Sequence, residues 1–175
     1  MIRDPFLETL HAHGPAPDRA DYMMLYGQFV GSWDGSLKYL DTEGGRRETT
    51  AEVHFGWVLE GRAIQDVWIA PSRNGRTDGE RLLMHGCTFR VYDPRNDHWR
   101  ITWIDPVKQA INCMTGRKVG DEIIQEYRTD EGKRCQWLFT EIAQTSFHWI
   151  NRVSYDDSEN WKVRSEFFLR RRADQ

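Results

Sequence analysis

The sequence predicts an all-β domain, an antiparallel up-and-down barrel of about ten strands with one short N-terminal helix. From residue 31 onward the chain is a series of short segments, and turn-forming residues separate them at intervals of roughly 8–15 residues, which leaves no room for βαβ crossovers. The chain also carries eight Trp, eight Phe and six Tyr residues. Rings in this number must either fill a core or line a cavity.

The N-terminal part divides into an arm and a helix. Residues 1–17 contain Gly and Pro and show no periodicity, so we expect a loose arm. A helix is expected over about Arg19–Val30, with Asp18 as its N-cap and Gly31 at its end. Residues 18–175 are then a single barrel domain, a size that suits one hydrophobic core.

Several of the expected strands alternate cleanly between an apolar and a polar face. A period of two with one wet face is typical of an antiparallel sheet that is covered on one side. The apolar faces are Trp33, Gly35, Leu37 and Tyr39; Val53, Phe55, Trp57 and Leu59; Trp99, Ile101 and Trp103; Cys135, Trp137 and Phe139; and Trp161, Val163, Ser165, Phe167 and Leu169.

Such strands could pack as a two-sheet sandwich, but closure into a barrel removes every exposed edge and is therefore favoured. Residues 64–69 and 82–92 are apolar on both faces. An apolar outer face needs a cover, and the N-terminal helix and a second subunit are the alternatives. Of these two covers we expect the second subunit, which would make the protein a homodimer.

Composition excludes several classes of protein. The net charge is −3, so no nucleic-acid partner is expected. No apolar run is long enough for a membrane span, and no secretory signal is visible. The three cysteines are far apart and odd in number, which argues against a disulfide framework or a zinc site and favours the cytoplasm. No metal or cofactor is predicted.

Several short motifs resemble a known superfamily. Residues 29–33, Phe-Val-Gly-Ser-Trp, place a Gly-x-Trp motif between the helix and the first strand. This resembles the opening signature of the calycins, the superfamily of lipocalins and fatty-acid-binding proteins. Residues 57–62, the Tyr-Asp-Pro at 92–94, and the pair Trp99 and Trp103 are similar to an uncharacterised bacterial branch of lipocalin-like domains.

The resemblance implies roles for particular residues. Trp33 would close one end of the barrel, and an arginine of the final strand, Arg164 or Arg170, would pack across it. Heme-binding members carry a ligating histidine near the C-terminus, whereas the last histidine here, His148, precedes the final strand. Heme is therefore not expected.

A barrel of this width leaves a cavity for a small hydrophobic or aromatic ligand. Polar groups among its lining residues would orient the ligand; the alternative is a packed core in which buried water and neighbours satisfy these groups. If the cleaner alternation points inward, the ligand-binding residues are Trp33, Phe55, Trp57, Gln65, His85, Phe89, Trp103, Tyr127, Trp137, Asn151 and Phe167.

Three functions remain open at this point. Binding of a small hydrophobic or aromatic molecule is the leading hypothesis. An enzyme of decarboxylase, cyclase or hydratase type is the second, with His85, or a pair of His148 and Glu126, as acid and base. A structural dimerisation domain with a filled interior is the third.

Overall fold

The computed structural model describes residues 4–173. In this part of the chain no helix is long and apolar enough to cross a lipid bilayer. The helices are α1 (Pro5–Leu10) and α2 (Ala20–Gly27), and the strands are β1 (His11–Ala12), β2 (Gly31–Leu40), β3 (Arg46–Val58), β4 (Ala63–Ala70), β5 (Met84–Asp93), β6 (His98–Asp105), β7 (Ala110–Val119), β8 (Glu122–Arg128), β9 (Arg134–Thr140), β10 (Ser146–Ser154) and β11 (Lys162–Arg171).

Strands β2 to β11 form a closed antiparallel up-and-down barrel, which confirms the predicted fold class. Each strand pairs with the next along the chain, and β11 pairs back with β2 from Ser165 opposite Tyr39 to Arg171 opposite Trp33. Because the ring is closed, each of these ten strands has a neighbour on both sides. The short strand β1 pairs with the end of β3, beyond the point where β2 begins.

The turns alternate between two ends of the barrel. The closed end contains the turns at 59–62, 94–97, 120–121 and 141–145, and α2 packs there. The open end contains the connections at 41–45, 71–83, 106–109, 129–133 and 155–161.

Helix α2 is shorter than predicted and is capped differently. It spans Ala20–Gly27 instead of Arg19–Val30. Asp18 lies in a 3-10 turn before the helix, and its carboxylate accepts a hydrogen bond from Arg62 instead of capping the helix. Gly31 does not end the helix but begins β2 with a φ of 126°, a conformation that glycine adopts at low cost.

Part of the segment that we expected to be a loose arm is ordered. Helix α1 begins after Asp4, whose side chain accepts a 2.9 Å hydrogen bond from the backbone N–H of Phe6. Further along, the backbone N–H of Ala16 donates to the carbonyl of Gly61 at 3.0 Å. Backbone hydrogen bonds of this kind leave no periodic apolar pattern, so the sequence gives no sign of them.

The closed end is sealed by Trp33, as the resemblance implied. Its side chain is fully buried, and its indole Nε1 donates a 2.7 Å hydrogen bond to the carbonyl of Phe29 at the end of the helical segment. The ring of Phe147 stands edge-on to it at a centroid distance of 4.7 Å. These contacts fix the position at which β2 begins after the helical segment.

The arginine that covers Trp33 is Arg171, and the expectation of Arg164 or Arg170 was wrong. The Arg171 guanidinium lies 4.2 Å from the ring centroid and donates to the carbonyls of Gln28 and Val30, both at 2.7 Å. Register explains the difference. Arg171 is directly opposite Trp33, whereas Arg170 stands opposite Asp34 at an outward position and Arg164 lies at a β-bulge near the open end.

Candidate ligand-binding cavity

The barrel encloses a cavity between its closed-end core and its open end. The cavity has a volume of about 160 Å³. This is close to the roughly 150 Å³ of an engineered cavity that holds benzene in another protein. The residues that line it are Trp68, Met84, Thr88, Arg90, Trp103, Asp105, Lys108, Ala110, Asn112, Tyr127, Trp137, Trp149, Asn151, Ser165 and Phe167.

Four tryptophans form a continuous aromatic wall around this cavity. Trp103 stands edge-on to Trp137 at a centroid distance of 5.7 Å, and Trp137 contacts Trp149 at 5.3 Å. Trp149 in turn contacts Trp68 at 5.3 Å. The four rings come from β6, β9, β10 and β4, so the wall exists only because the barrel closes.

Most of the predicted ligand-binding residues face the interior. Trp103, Tyr127, Trp137, Asn151 and Phe167 line the cavity itself. Three more of the predicted residues also face the interior, but they belong to the buried aromatic core and do not line the cavity. These are Trp33, Phe55 and Trp57.

Three of the predicted lumen residues face outward instead. On β5 the inward positions are Met84, Thr88 and Arg90, so His85 and Phe89 lie on the outer face, where His85 is exposed. Gln65 pairs with Phe89 and shares that face. These strands carry apolar side chains on both faces, so alternation alone does not reveal their parity.

The proposed acid and base residues do not come together. His148 and Glu126 both lie on the outer surface, and they have different partners. His148 Nε2 lies 3.1 Å from Glu166 Oε1, whereas Glu126 accepts a 2.6 Å hydrogen bond from Gln136. With His85 also outside, none of the three candidates for acid/base chemistry borders the cavity.

Sequence reasoning missed a buried ion pair at the inner wall. The Arg90 guanidinium contacts the Asp66 carboxylate, and both side chains are fully buried. Asp66 also accepts a 2.7 Å hydrogen bond from Trp68 Nε1, and Arg90 donates to Gln125 Oε1 at 3.3 Å. Charged residues inside two largely apolar strands are the signal that could have revealed it, because such groups are rarely buried unless paired.

Polar groups occupy the part of the cavity nearest the open end. The side-chain amides of Asn112 and Asn151 make no hydrogen bond with any residue in the described range. Asp105 is buried, and its Oδ1 accepts hydrogen bonds from two backbone amides of its own turn. Desolvation lowers the pKa of Lys108, although the nearby Asp105 charge acts in the opposite direction. The cavity therefore offers unused amide groups beside its aromatic wall.

Access to the cavity is from the open end. A recess of about 480 Å³ lies there, and it shares Met84, Lys108, Asn151 and Ser165 with the inner cavity. The long connection between β4 and β5 supplies part of its rim. The recess is thus the entrance, and its position depends on how that connection is held.

A buried carboxylate on the outer face of β3 anchors this connection. Glu52 is only 2% exposed and accepts hydrogen bonds from the Nε of Arg73 at 2.7 Å and from its backbone N–H at 2.9 Å. His54 Nε2 also lies 3.2 Å from Glu52. Burial would raise the pKa of Glu52, but the hydrogen bonds from Arg73 and His54 outweigh it and lower that pKa to about 2.

Glu52→Gln is expected to lower the free energy of unfolding by about 1.5–3 kcal/mol at pH 7. The pKa of Glu52 is lower in the folded chain than in the unfolded one, so its contribution is complete above the ordinary glutamate pKa and is lost as pH falls toward 2. Urea unfolding at pH 7 and pH 3 measures this, with exposed Glu48→Gln on the same strand as the control. An equal loss for both variants, or one independent of pH, contradicts the prediction.

Comparison with known proteins identifies the fold but no family. No protein-family model matches the chain, and no curated protein matches it in sequence. Solved structures similar to it include two that cover nearly the whole chain. The crystal structure of Rv2717c from M. tuberculosis has a TM-score of 0.57 at 13% identity, covering 91% of this chain and 99% of that one.

The second structure is the S-type phycobiliprotein lyase CPES from Guillardia theta. It has a TM-score of 0.60 at 10% identity, and the similarity covers 92% of this chain and all of that one. At these identities the likeness concerns the fold alone. The chain therefore has the fold of the lipocalin-like barrel proteins.

Proposed function

We propose that this protein binds a small hydrophobic or aromatic molecule inside the barrel. The observation that carries the proposal is the cavity in the barrel interior with its wall of four tryptophans. Burial and ring contacts would supply the affinity, and a few polar groups would set the orientation. The amides of Asn112 and Asn151 are suited to that second task because they have no partner among the described residues.

The proposed contacts combine predicted residues with those that the structure adds. Trp103, Tyr127, Trp137 and Asn151 stand among the expected ligand-binding residues, and Trp68 and Trp149 complete the aromatic wall. Burial raises the pKa of Tyr127, so its hydroxyl stays protonated and can donate to a ligand at neutral pH. The similarity to a phycobiliprotein lyase is compatible with a small organic ligand.

Titration with p-cresol, a neutral single-ring compound, tests the proposal by calorimetry. The unmodified protein should bind it, and Ala110→Phe should weaken binding at least about tenfold, because the added ring occupies the cavity. Ile111→Phe is the matched control, since the next residue of the same strand is 69% exposed on the outer face. Mass spectrometry of the natively purified protein would identify a natural ligand.

Two results would contradict the proposal. One is a complete absence of p-cresol binding together with no co-purified compound. The other is equal binding by Ala110→Phe and Ile111→Phe, which would place the compound somewhere other than in the cavity. Tryptophan emission gives an independent reading, because a ring placed among four indoles should change it.

We also propose that the chain belongs to the bacterial lipocalin-like branch that its motifs resemble, and that it is a cytoplasmic homodimer. Three cysteines without disulfides support the compartment. The outer face of β4–β7 carries Val67, Phe89, Ile104 and Ile111, the last two exposed, which supports a subunit contact there. Sedimentation equilibrium measures the mass in solution.

A further inference from the structure

The entrance recess differs from the inner cavity in its charge. Its walls carry Arg81, Lys108 and Arg164, and a single carboxylate, Asp41. The recess adjoins the cavity, and the two share Met84, Lys108, Asn151 and Ser165 in their walls. A molecule with its ring among the tryptophans would therefore reach these cations with any substituent that points toward the entrance.

None of the three cations forms an ion pair with a carboxylate among the described residues. Arg81 is exposed and makes no hydrogen bond or ion pair with the described residues. Arg164 donates only to the neutral hydroxyl of Tyr155, at 3.2 Å. The Lys108 ammonium forms no ion pair in this part of the chain either. In a protein with 27 acidic and 24 basic residues, cations left unpaired around one opening form a distinct positive site.

The nearby carboxylates form no ion pair with these cations. Asp41 accepts a 2.9 Å hydrogen bond from Arg47 and a 2.7 Å hydrogen bond from the backbone N–H of Gly45. Asp105 lies deeper in the cavity wall, where its Oδ1 accepts hydrogen bonds from two backbone amides of its own turn and its Oδ2 is buried without a partner among the described residues. Arg47 offsets Asp41, and Asp105 offsets part of the Lys108 charge. The surplus at the entrance remains positive.

We infer that the ligand is a small organic anion whose apolar ring lies among the tryptophans and whose anionic group lies between Arg81, Lys108 and Arg164. The inference rests on the proposed function and adds the chemical class of the ligand. Charge-assisted hydrogen bonds to the three cations would orient the molecule with its ring inward. Attraction at the entrance would also speed the encounter with an anionic ligand at low ionic strength.

A matched pair of compounds tests the inference. 4-Phenylbutyrate and 4-phenylbutyramide share their ring and chain and differ in charge. By calorimetry the carboxylate should bind the unmodified protein about tenfold more tightly than the amide, and added salt should reduce this preference. Arg81→Gln combined with Arg164→Gln should remove most of the preference without changing the affinity for the amide, because neither residue lines the inner cavity. Both side chains are exposed and form no ion pair with the described residues, so the variant is expected to fold.

Arg95→Gln is the control, because Arg95 is an exposed cation in the turn between β5 and β6 at the closed end. It should keep the full preference for the carboxylate. Equal affinity for the two compounds would overturn the inference and leave the proposed function standing. So would a preference that is undiminished in the double variant. Binding of neither compound while p-cresol still binds would overturn the inference alone, whereas loss of p-cresol binding as well would count against the proposed function.

Discussion

Arg90→Met is expected to lower the free energy of unfolding by about 3–5 kcal/mol. The substitution leaves the Asp66 carboxylate in the barrel interior without its cation, and both side chains are fully buried in the native protein. An isolated charge in such surroundings is far less stable than in water. Urea unfolding followed by tryptophan fluorescence measures the change.

Two further variants separate the cost of the unpaired charge from the loss of a contact. Arg90→Met combined with Asp66→Leu should recover most of the lost stability, because neither charge is then buried. Recovery should fall short by about 1–3 kcal/mol, since Trp68 Nε1 loses its acceptor. Arg100→Met breaks the exposed ion pair with Asp93 and should cost less than about 1 kcal/mol. A double variant as unstable as the single one would contradict this account.

Trp33→Ala is expected to cost a similar amount, about 3–5 kcal/mol. The side chain is fully buried against Phe147, and its indole N–H ties the start of β2 to the carbonyl of Phe29. Its removal leaves a void at the closed end and takes away the ring over which Arg171 lies. Thermal and urea unfolding both report the loss.

Trp161→Ala is the matched control for this second prediction. Trp161 is half-buried in the turn before β11, where it packs against the guanidinium groups of Arg134 and Arg152. Its removal should cost no more than about 1–2 kcal/mol, in line with partly exposed cation–π contacts. If the two tryptophans cost the same, the closed end is not the principal site of packing.

The part of the fold that could be predicted depended on strands with one clear polar face. On β6, Arg100 and Thr102 alternate with apolar residues, and on β9 Arg134 and Gln136 do the same before Trp137. Trp103 and Trp137 were therefore placed inside correctly. On β4 and β5, apolar residues occupy both faces, and the parity of His85 was assigned wrongly. Side chains of a strand alternate between two faces, so an error of one residue in the assignment places every side chain of that strand on the opposite face.

Contacts that depend on the register between two strands could not be predicted from the pattern within either strand. The choice of Arg171 to cover Trp33 depends on the pairing of β11 with β2, which no alternation within β11 reveals. The contact between Asp66 and Arg90 likewise requires two strands in one particular register. Sequence indicated the barrel and its aromatic interior, whereas the position of each polar group within it came from tertiary pairing.

The pairing of the first barrel strand with the last has a consequence for synthesis of the chain. During synthesis on the ribosome β2 cannot pair with β11, because most of the chain lies between Tyr39 and its partner Ser165 and must be made first. A nascent barrel has two bare edges and a tryptophan-rich inner surface open to water, the features that promote aggregation. Contacts so distant in sequence also form slowly. Chaperones that recognise exposed aromatic surface are therefore most needed just before the final hairpin emerges.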